Sequence, residues 1–324
     1  MSSAVPALQI DAPALDGLTV HVPTLPAVSE GELVARFEER MRALATTRDR
    51  SEGEAIGWGD DLRIDVVAGC EGRLIPFSTR FDWWVLAAPQ SDVPGLFEAL
   101  IGEPVGATVR VELTLPPSYP VEALRSKRAR FVVTLHEAKE VAPLPASEFA
   151  RTGLGQTLRA VMLALRAELE HERETAQLHL ARELAFDAVL ERAKVALPVE
   201  LIDDDIRRAW GRGEGQLLKA RGFSQQELDE SLEGWLTDRP TRIASERRVA
   251  LSLIFRAVVE REQLVLTREG FEAVLLELGD ALGLDEAAIA AGLRESSELT
   301  GQMAELGIHL LGMQHVLQQV ELTS

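Results

Sequence analysis

Cysteine is almost absent from this chain. Cys70 is the single one in 324 residues, so no intramolecular disulfide framework can form and the fold must rest on its own core, as suits a reducing compartment. Aromatic residues are scarce at 5%, with one tyrosine, while Leu and Ala abound, a balance that favours helix over sheet for most of the length. Positive charge is also in deficit: 34 Lys and Arg face 52 Asp and Glu, a formal net charge of −18. Such a surface repels phosphate backbones and anionic headgroups, so neither nucleic acid nor a membrane is an expected partner. No uncharged apolar run reaches the roughly 18 residues of a membrane span. Met1 to Pro13 show neither a basic segment nor an apolar core of signal-peptide length, and the expected location is cytoplasmic. A Gly-rich phosphate loop followed by Lys and Ser or Thr is missing, so nucleotide-driven action has no support and no cofactor is expected.

What is present describes a folded protein. Apolar residues make up 46% and charged residues 27%, ordinary values for a globular chain, and the length implies about two domains. From Ala4 to Pro26 the pattern is Pro-rich and partly alternating (Leu18, Val20, Val22), which reads as an extended strand or linker. Ser29 followed by Glu32 matches a capping box, and Leu33, Phe37, Met41 and Leu44 recur at helical spacing, predicting an amphipathic helix from Glu30 to about Thr46.

Between about Ile56 and Lys139 short β-rich runs take over: Leu62–Val67, Trp83–Ala87, Thr108–Leu115 and Arg130–His136, broken by Gly and Pro. They predict a small antiparallel sheet, with Val93–Gly102 as a turn leading into a short helix that closes its core. After Pro145 nearly every segment has a 3.6-residue period. The long stretch Thr157–Ala193, then Val199–Trp210 behind Pro198, a helix after the capping box Ser224/Glu227, Arg242–Gln263, Arg268–Leu282, Glu286–Leu293 and Glu298–Leu322 predict six or seven helices with short connections.

This order of parts resembles the trigger factor family: a linker helix, an inserted FKBP-type prolyl isomerase-like domain, and a helical chaperone body with arms. In the β region, Gly59-Asp60-Asp61-Leu62-Arg63-Ile64-Asp65 is similar to the family's opening strand. Val93-Pro94-Gly95, Ile101-Gly102 and Val105-Gly106 resemble its turn, helix and second turn, and Leu115-Pro116-Pro117-Ser118-Tyr119 with Ala129-Arg130-Phe131 its last segments. In the helical part, the runs Val195 to Asp203 and Arg247 to Ile254 resemble stretches of the chaperone body. The resemblance implies an α+β fold divided as 1–54 (linker strand and helix packing with the C-terminal body), 55–141 (β domain with one short helix) and 142–324 (elongated all-helical chaperone domain with arms). The family's ribosome-docking domain, with its Gly-Phe-Arg basic loop, has no match here, and the acidic charge agrees. Ribosome binding is therefore not expected, and the expected partners are unfolded or nascent polypeptides.

Carried over by position, Tyr119 and Phe131 match retained aromatics of the family's prolyl pocket, Trp84 stands where a Phe is usual, and Val93 matches an aliphatic lining position. Leu96 replaces an aromatic at the floor, Val66 and Ile75 replace two more, and Pro76 falls where many relatives have an acidic residue. Isomerising an X–Pro bond requires lowering a rotational barrier of roughly 18–20 kcal/mol set by amide resonance, for which a dry apolar cup suffices without nucleophile or metal. The same side chains read equally as the core of a small β domain. For client capture, Leu251, Ile254, Phe255, Val258, Met303, Leu306, Leu310 and Met313 form a candidate pool at helical spacing, of which most will be buried between helices. Three functions stay open: an ATP-independent chaperone, a prolyl isomerase proper, and a dedicated binder of one client.

Four further signals carry less. His171 and His179 are eight apart and His309 and His315 six apart, neither the i, i+4 spacing of zinc-binding helices. Asp203-Asp204-Asp205 complements a helix start. Cys70 lacks a His or Cys neighbour in sequence and reads as passive in or near the sheet. Alternation on a strand sends one ring of Trp83-Trp84 inward and the other outward, and the pocket reading assigns the inward place to Trp84.

Overall fold

The computed structural model describes residues 10–89, 93–142, 148, 157–267, 270 and 297–323. They form two compact units, each discontinuous in sequence: one holds 1–26, 173–202 and 243–324, the other 27–172 and 203–242. The units are thus assembled differently from the consecutive segments expected.

The first unit is helical, with one small strand pair. Strand β1 (Thr19–His21) runs parallel to β8 (Glu321–Thr323), and Leu15, Leu18, Val20 and Val22 are core. They bury against the second half of helix α2 (Leu158–Ala193), helix α6 (Arg239–Arg261) and helix α7 (Ser297–Gln319). Phe186 and Phe255 meet edge-on at 5.3 Å between centroids. The strand at 321–323 ends a helix expected to continue to Leu322; Val20 and Val22, buried by β1, explain why the chain changes state where it meets that edge. The expected helices 268–282 and 286–293 fall outside the described residues apart from Gly270.

The second unit contains the sheet. Strand β7 (Arg128–Ala142) is central: β3 (Asp61–Cys70) flanks one side, and β6 (Thr108–Thr114) and β2 (Thr46–Asp49) share the other. Strands β4 (Arg73–Leu74) and β5 (Arg80–Leu86) pair with β3. Period-2 alternation sets the layers, since Leu62, Ile64, Val66 and Ala68 of β3 are buried while their neighbours are half-exposed. Helix α1 (Glu30–Ala43) starts on the Ser29/Glu32 capping box. It ends at Ala43 because the next residues join the sheet as β2, a strand the helical reading to Thr46 missed. Its apolar stripe, Leu33, Phe37 and Met41, packs on Val161 and Leu165 of α2, and Arg36 forms a bidentate pair with Glu172 at 2.7 and 2.8 Å. Arg50 closes the 50–60 loop by a two-point contact to buried Asp60, at 2.5 and 3.0 Å.

Residues 93–102 close the sheet core with Leu96, Phe97 and Leu100, yet as successive turns rather than the expected short helix. Hydrogen bonds there mix i→i+4 (Ala99 to Gly95, 3.2 Å) and i→i+3 (Leu100 to Phe97, 2.9 Å) spacings. Gly95 at φ +91° admits no helical continuation on the N-terminal side, and the few residues left cannot propagate a helix past its costly first turn. Three further helices complete the unit: α3 (Val199–Arg212), most of which belongs here, α4 (Glu214–Ala220) and α5 (Gln225–Thr237). Helix α5 begins at the Ser224/Glu227 capping box. Pro240 sits in the first turn of α6, where its missing N–H costs nothing. Asp203 and Asp204 are taken up by Arg242 and Arg207.

Candidate functional site

The sheet unit carries an apolar cleft of about 880 Å³. Phe131 of β7 and Val66 of β3 form its buried floor, diagonal to each other on paired antiparallel strands, with Val66 opposite Val133 and Phe131 opposite Ala68. Val93, Leu96 and Phe97 of the 93–102 turns make one wall. Tyr119 follows from a tight turn, its N–H donating to Pro116 O at 3.0 Å, and its carbonyl accepts from Arg125 Nε at 2.8 Å. Pro76 and Phe77, in the flap between β4 and β5, supply another wall. Among the described residues, Arg80 is the single charged residue of the lining, and its guanidinium donates to the carbonyls of Phe77 (2.9 Å) and Thr79 (3.0 Å).

Four expected pocket residues, Tyr119, Phe131, Val93 and Leu96, therefore meet in one cleft. Trp84 does not join them. Strand β5 pairs Trp83 with Ile64 and Trp84 with Arg63, so Trp83 shares the buried face and lines the cleft while Trp84 lies on the opposite face, with Lys139 Nζ 4.7 Å from its ring centroid. The parity of a two-tryptophan strand is decided by register, which the bulge between Ile64 and Val66 shifts. Of the replaced aromatic positions, Val66 lines the cleft and Ile75 is wholly core, and Pro76, at the position acidic in many relatives, lines the cleft as well. Phe77 escaped the sequence reading: it sits at φ +63°, a placement no periodicity announces.

Burial pushes the Tyr119 hydroxyl above its ordinary range; the Arg80 charge opposes this and the Glu214 carboxylate reinforces it. Burial likewise raises the Cys70 thiol, which donates to Arg128 O at 3.3 Å, so the sulfur is inert packing. Among the described residues no group of three or more His, Cys, Asp or Glu could hold a metal. His309 lies edge-on to Phe255 at 5.0 Å, its pKa lowered by burial.

The client pool divides. Leu251, Ile254, Phe255 and Val258 are buried in the core of the helical unit and cannot face a client; one helix face is spent on packing Phe186, Val189 and Val316. Met313 packs at the edge of that core, and Met303, Leu306 and Leu310 are half-buried on α7. No described helix is long and apolar enough to cross a membrane.

Known proteins resemble this chain in several ways. Residues 157–311 match the family model for the bacterial trigger factor C-terminus. The trigger factor of Streptococcus agalactiae is 28% identical over 305 residues, 89% of this chain and 68% of the relative. Those of Shouchella clausii (27%, 82% of this chain, 61% of the relative) and Novosphingobium aromaticivorans (25%, 82% and 51%) are similar too. The alignments thus span between about half and about two thirds of these relatives' own length. A solved structure of the trigger factor chaperone, described for promiscuous substrate recognition in folding and assembly, covers 96% of this chain and 72% of its own at 14% identity, with a TM-score of 0.38. The sequence relatives and the C-terminal family model define the class as a chaperone of the trigger factor type. The chain is thus similar to trigger factors over most of its length, and its residues 157–311 to their C-terminal part.

Proposed function

We propose that this protein is an ATP-independent holding chaperone that takes apolar, proline-containing segments of non-native polypeptides into the cleft of its sheet unit. One observation carries this reading: a cleft of about 880 Å³ lined by Phe77, Trp83, Tyr119, Phe131 and aliphatic side chains, in which Arg80 is the only charge among the described residues. A lining of that kind gains affinity from buried apolar area and stays indifferent to side-chain identity. Reversible capture lowers the free concentration of aggregation-prone chains by mass action, with no fuel. The half-buried Met303, Leu306 and Leu310 of α7 are a second, smaller apolar resource in the helical unit.

The test is suppression of aggregation of several unrelated denatured proteins without nucleotide. Wild type should suppress all of them. Trp83→Ala, which removes a partly exposed wall and leaves the core intact, should weaken suppression several-fold. Response by a single client would instead favour a dedicated binder.

A second reading, prolyl isomerisation in the same cleft, is favoured by Tyr119, Phe131, Val93 and Leu96 lining one space. An apolar cup stabilises the twisted, less polar amide over the planar one. A protease-free isomerisation assay decides it: a wild-type rate near background, equal to that of Tyr119→Ala, removes the enzyme. Phe131→Ala is the poorer probe, because Phe131 is core and its truncation costs about 3–5 kcal/mol of stability.

A further inference from the structure

The flap that walls the cleft is held in a conformation it would not choose alone. It runs from Arg73 to Asp82 and contains two non-glycine residues in the left-handed region, Phe77 at φ +63° and Asp82 at φ +50°. Bulky side chains rarely adopt that region, so surrounding contacts must impose it. At Phe77 those contacts come from α4 and α5; at Asp82 the turn between α4 and α5 adds to contacts from β3, where Asp65 Oδ1 accepts from the Asp82 N–H at 2.8 Å and Arg63 donates to Asp82 Oδ1 at 2.8 Å.

At Phe77, the backbone N–H donates to Glu214 Oε2 at 3.2 Å. The same oxygen accepts from Trp235 Nε1 at 2.8 Å, and the Trp235 ring lies 4.6 Å from the Phe77 ring at 42°. Glu214 Oε1 accepts from the hydroxyl of fully buried Ser231 at 3.3 Å, which in turn accepts from Trp210 Nε1 at 2.9 Å. One carboxylate therefore ties the flap backbone to two helices. At Asp82, Oδ2 accepts from Arg221 at 2.6 Å, and that guanidinium covers the Phe81 ring at 4.6 Å. Phe223 meets Phe81 edge-on at 6.3 Å. Arg73 pairs with Glu233, and α5 approaches so closely that a Cβ on Gly234 would stand 2.0 Å from Pro76 Cγ.

Pro76, Phe77 and Arg80 of this flap line the cleft. We propose that Glu214–Trp235 is a clasp on the flap, and that Glu214 is the positioning residue that sets Phe77 as a wall of the apolar cleft. The clasp makes the cleft a composite whose shape depends on helices distant in sequence from the sheet: released, Phe77 and Asp82 relax toward ordinary backbone angles and the wall is lost. That the shaped cleft takes polypeptide rests on the function proposed above; the clasp itself does not.

Two readouts on the full chain separate these. In Glu214→Ala, hydrogen exchange at the Phe77 amide should accelerate about tenfold or more while the sheet amides of Ile64 and Val133 keep their protection. Affinity for a fluorescein-labelled Ala-Leu-Pro-Phe peptide should fall about fivefold or more. Arg221→Ala, which removes the hold of the α4–α5 turn on Asp82 without touching Glu214 and leaves its contacts to Arg63 and Asp65, should move both quantities the same way by a smaller factor, and it serves if Glu214→Ala fails to fold. Unchanged Phe77 exchange in both variants overturns the clasp. Faster exchange with unchanged peptide affinity overturns its role in shaping the cleft. Wild type that ignores the peptide, with exchange still accelerated in the variants, supports the clasp and overturns the use assigned to the cleft.

Discussion

Tyr119 is the only tyrosine in the chain, so tyrosinate absorbance reads one cleft residue without ambiguity. Burial raises its pKa first, Arg80 opposes, and Glu214 adds to the rise. Titration should show one transition above the ordinary value of about 10, moved down by Glu214→Gln and up by Arg80→Gln. Because the folded-state pKa lies above the unfolded one, the stability this group contributes is complete below about pH 10 and is lost as pH rises through the folded value. A second contrast belongs to the helical core. Ile254 is fully buried and Leu310 half-buried, so Ile254→Ala should cost about 2–5 kcal/mol in denaturant unfolding. Leu310→Ala should cost clearly less, and if α7 takes part in capture it should weaken aggregation suppression instead.

Helix α5 shows how one element's surface outweighs its propensity. Alanine in a helix interior is ordinarily favoured over glycine by about 1 kcal/mol, and Gly234 lies well inside α5. Yet the added methyl would stand 2.0 Å from Pro76, and overpacking costs about 1–3 kcal/mol. Gly234→Ala should therefore lower the melting temperature rather than raise it, and should quench or shift Trp235 fluorescence as α5 moves off the flap; a raised melting temperature would show that the close approach is not needed. The capping boxes at Ser29 and Ser224 behave as their sequences announce, because a cap is a contact between residues three apart.

For the molecule as a whole, a formal charge of −18 surrounds the apolar cleft with a repulsive field. If the cleft takes polypeptide as proposed, the same field should select among clients. A basic denatured protein should be held better than an acidic one at low ionic strength, with the difference shrinking as salt shortens the Debye length to about 8 Å at 0.15 M. Equal suppression at all salt concentrations would leave the charge with no part in recognition.

Local chemistry was legible from residues alone. Caps, the alternation of β3, the 3.6-residue period of α2 and the absence of a phosphate loop each involve neighbours within a few positions, and so does the resemblance carried by ordered short motifs. Interactions between distant segments were not legible: which tryptophan of the 83–84 pair faces the cleft depends on a bulge in strand pairing. That residues 19–21 pair with 321–323 depends on two segments 300 residues apart meeting. Whether Leu251, Ile254, Phe255 and Val258 are core or surface depends on which helix faces find partners. Sequence by itself determined most of the element types and the resemblance to a family; it missed β2, β8 and the turns of 93–102, whose states depend on partners distant in sequence or on a backbone angle. Only the tertiary structure decided the composition of the cleft wall, because Phe77 takes a left-handed angle under contacts from α4 and α5, and Asp82 one under contacts from β3 and the α4–α5 turn, and no local pattern encodes either.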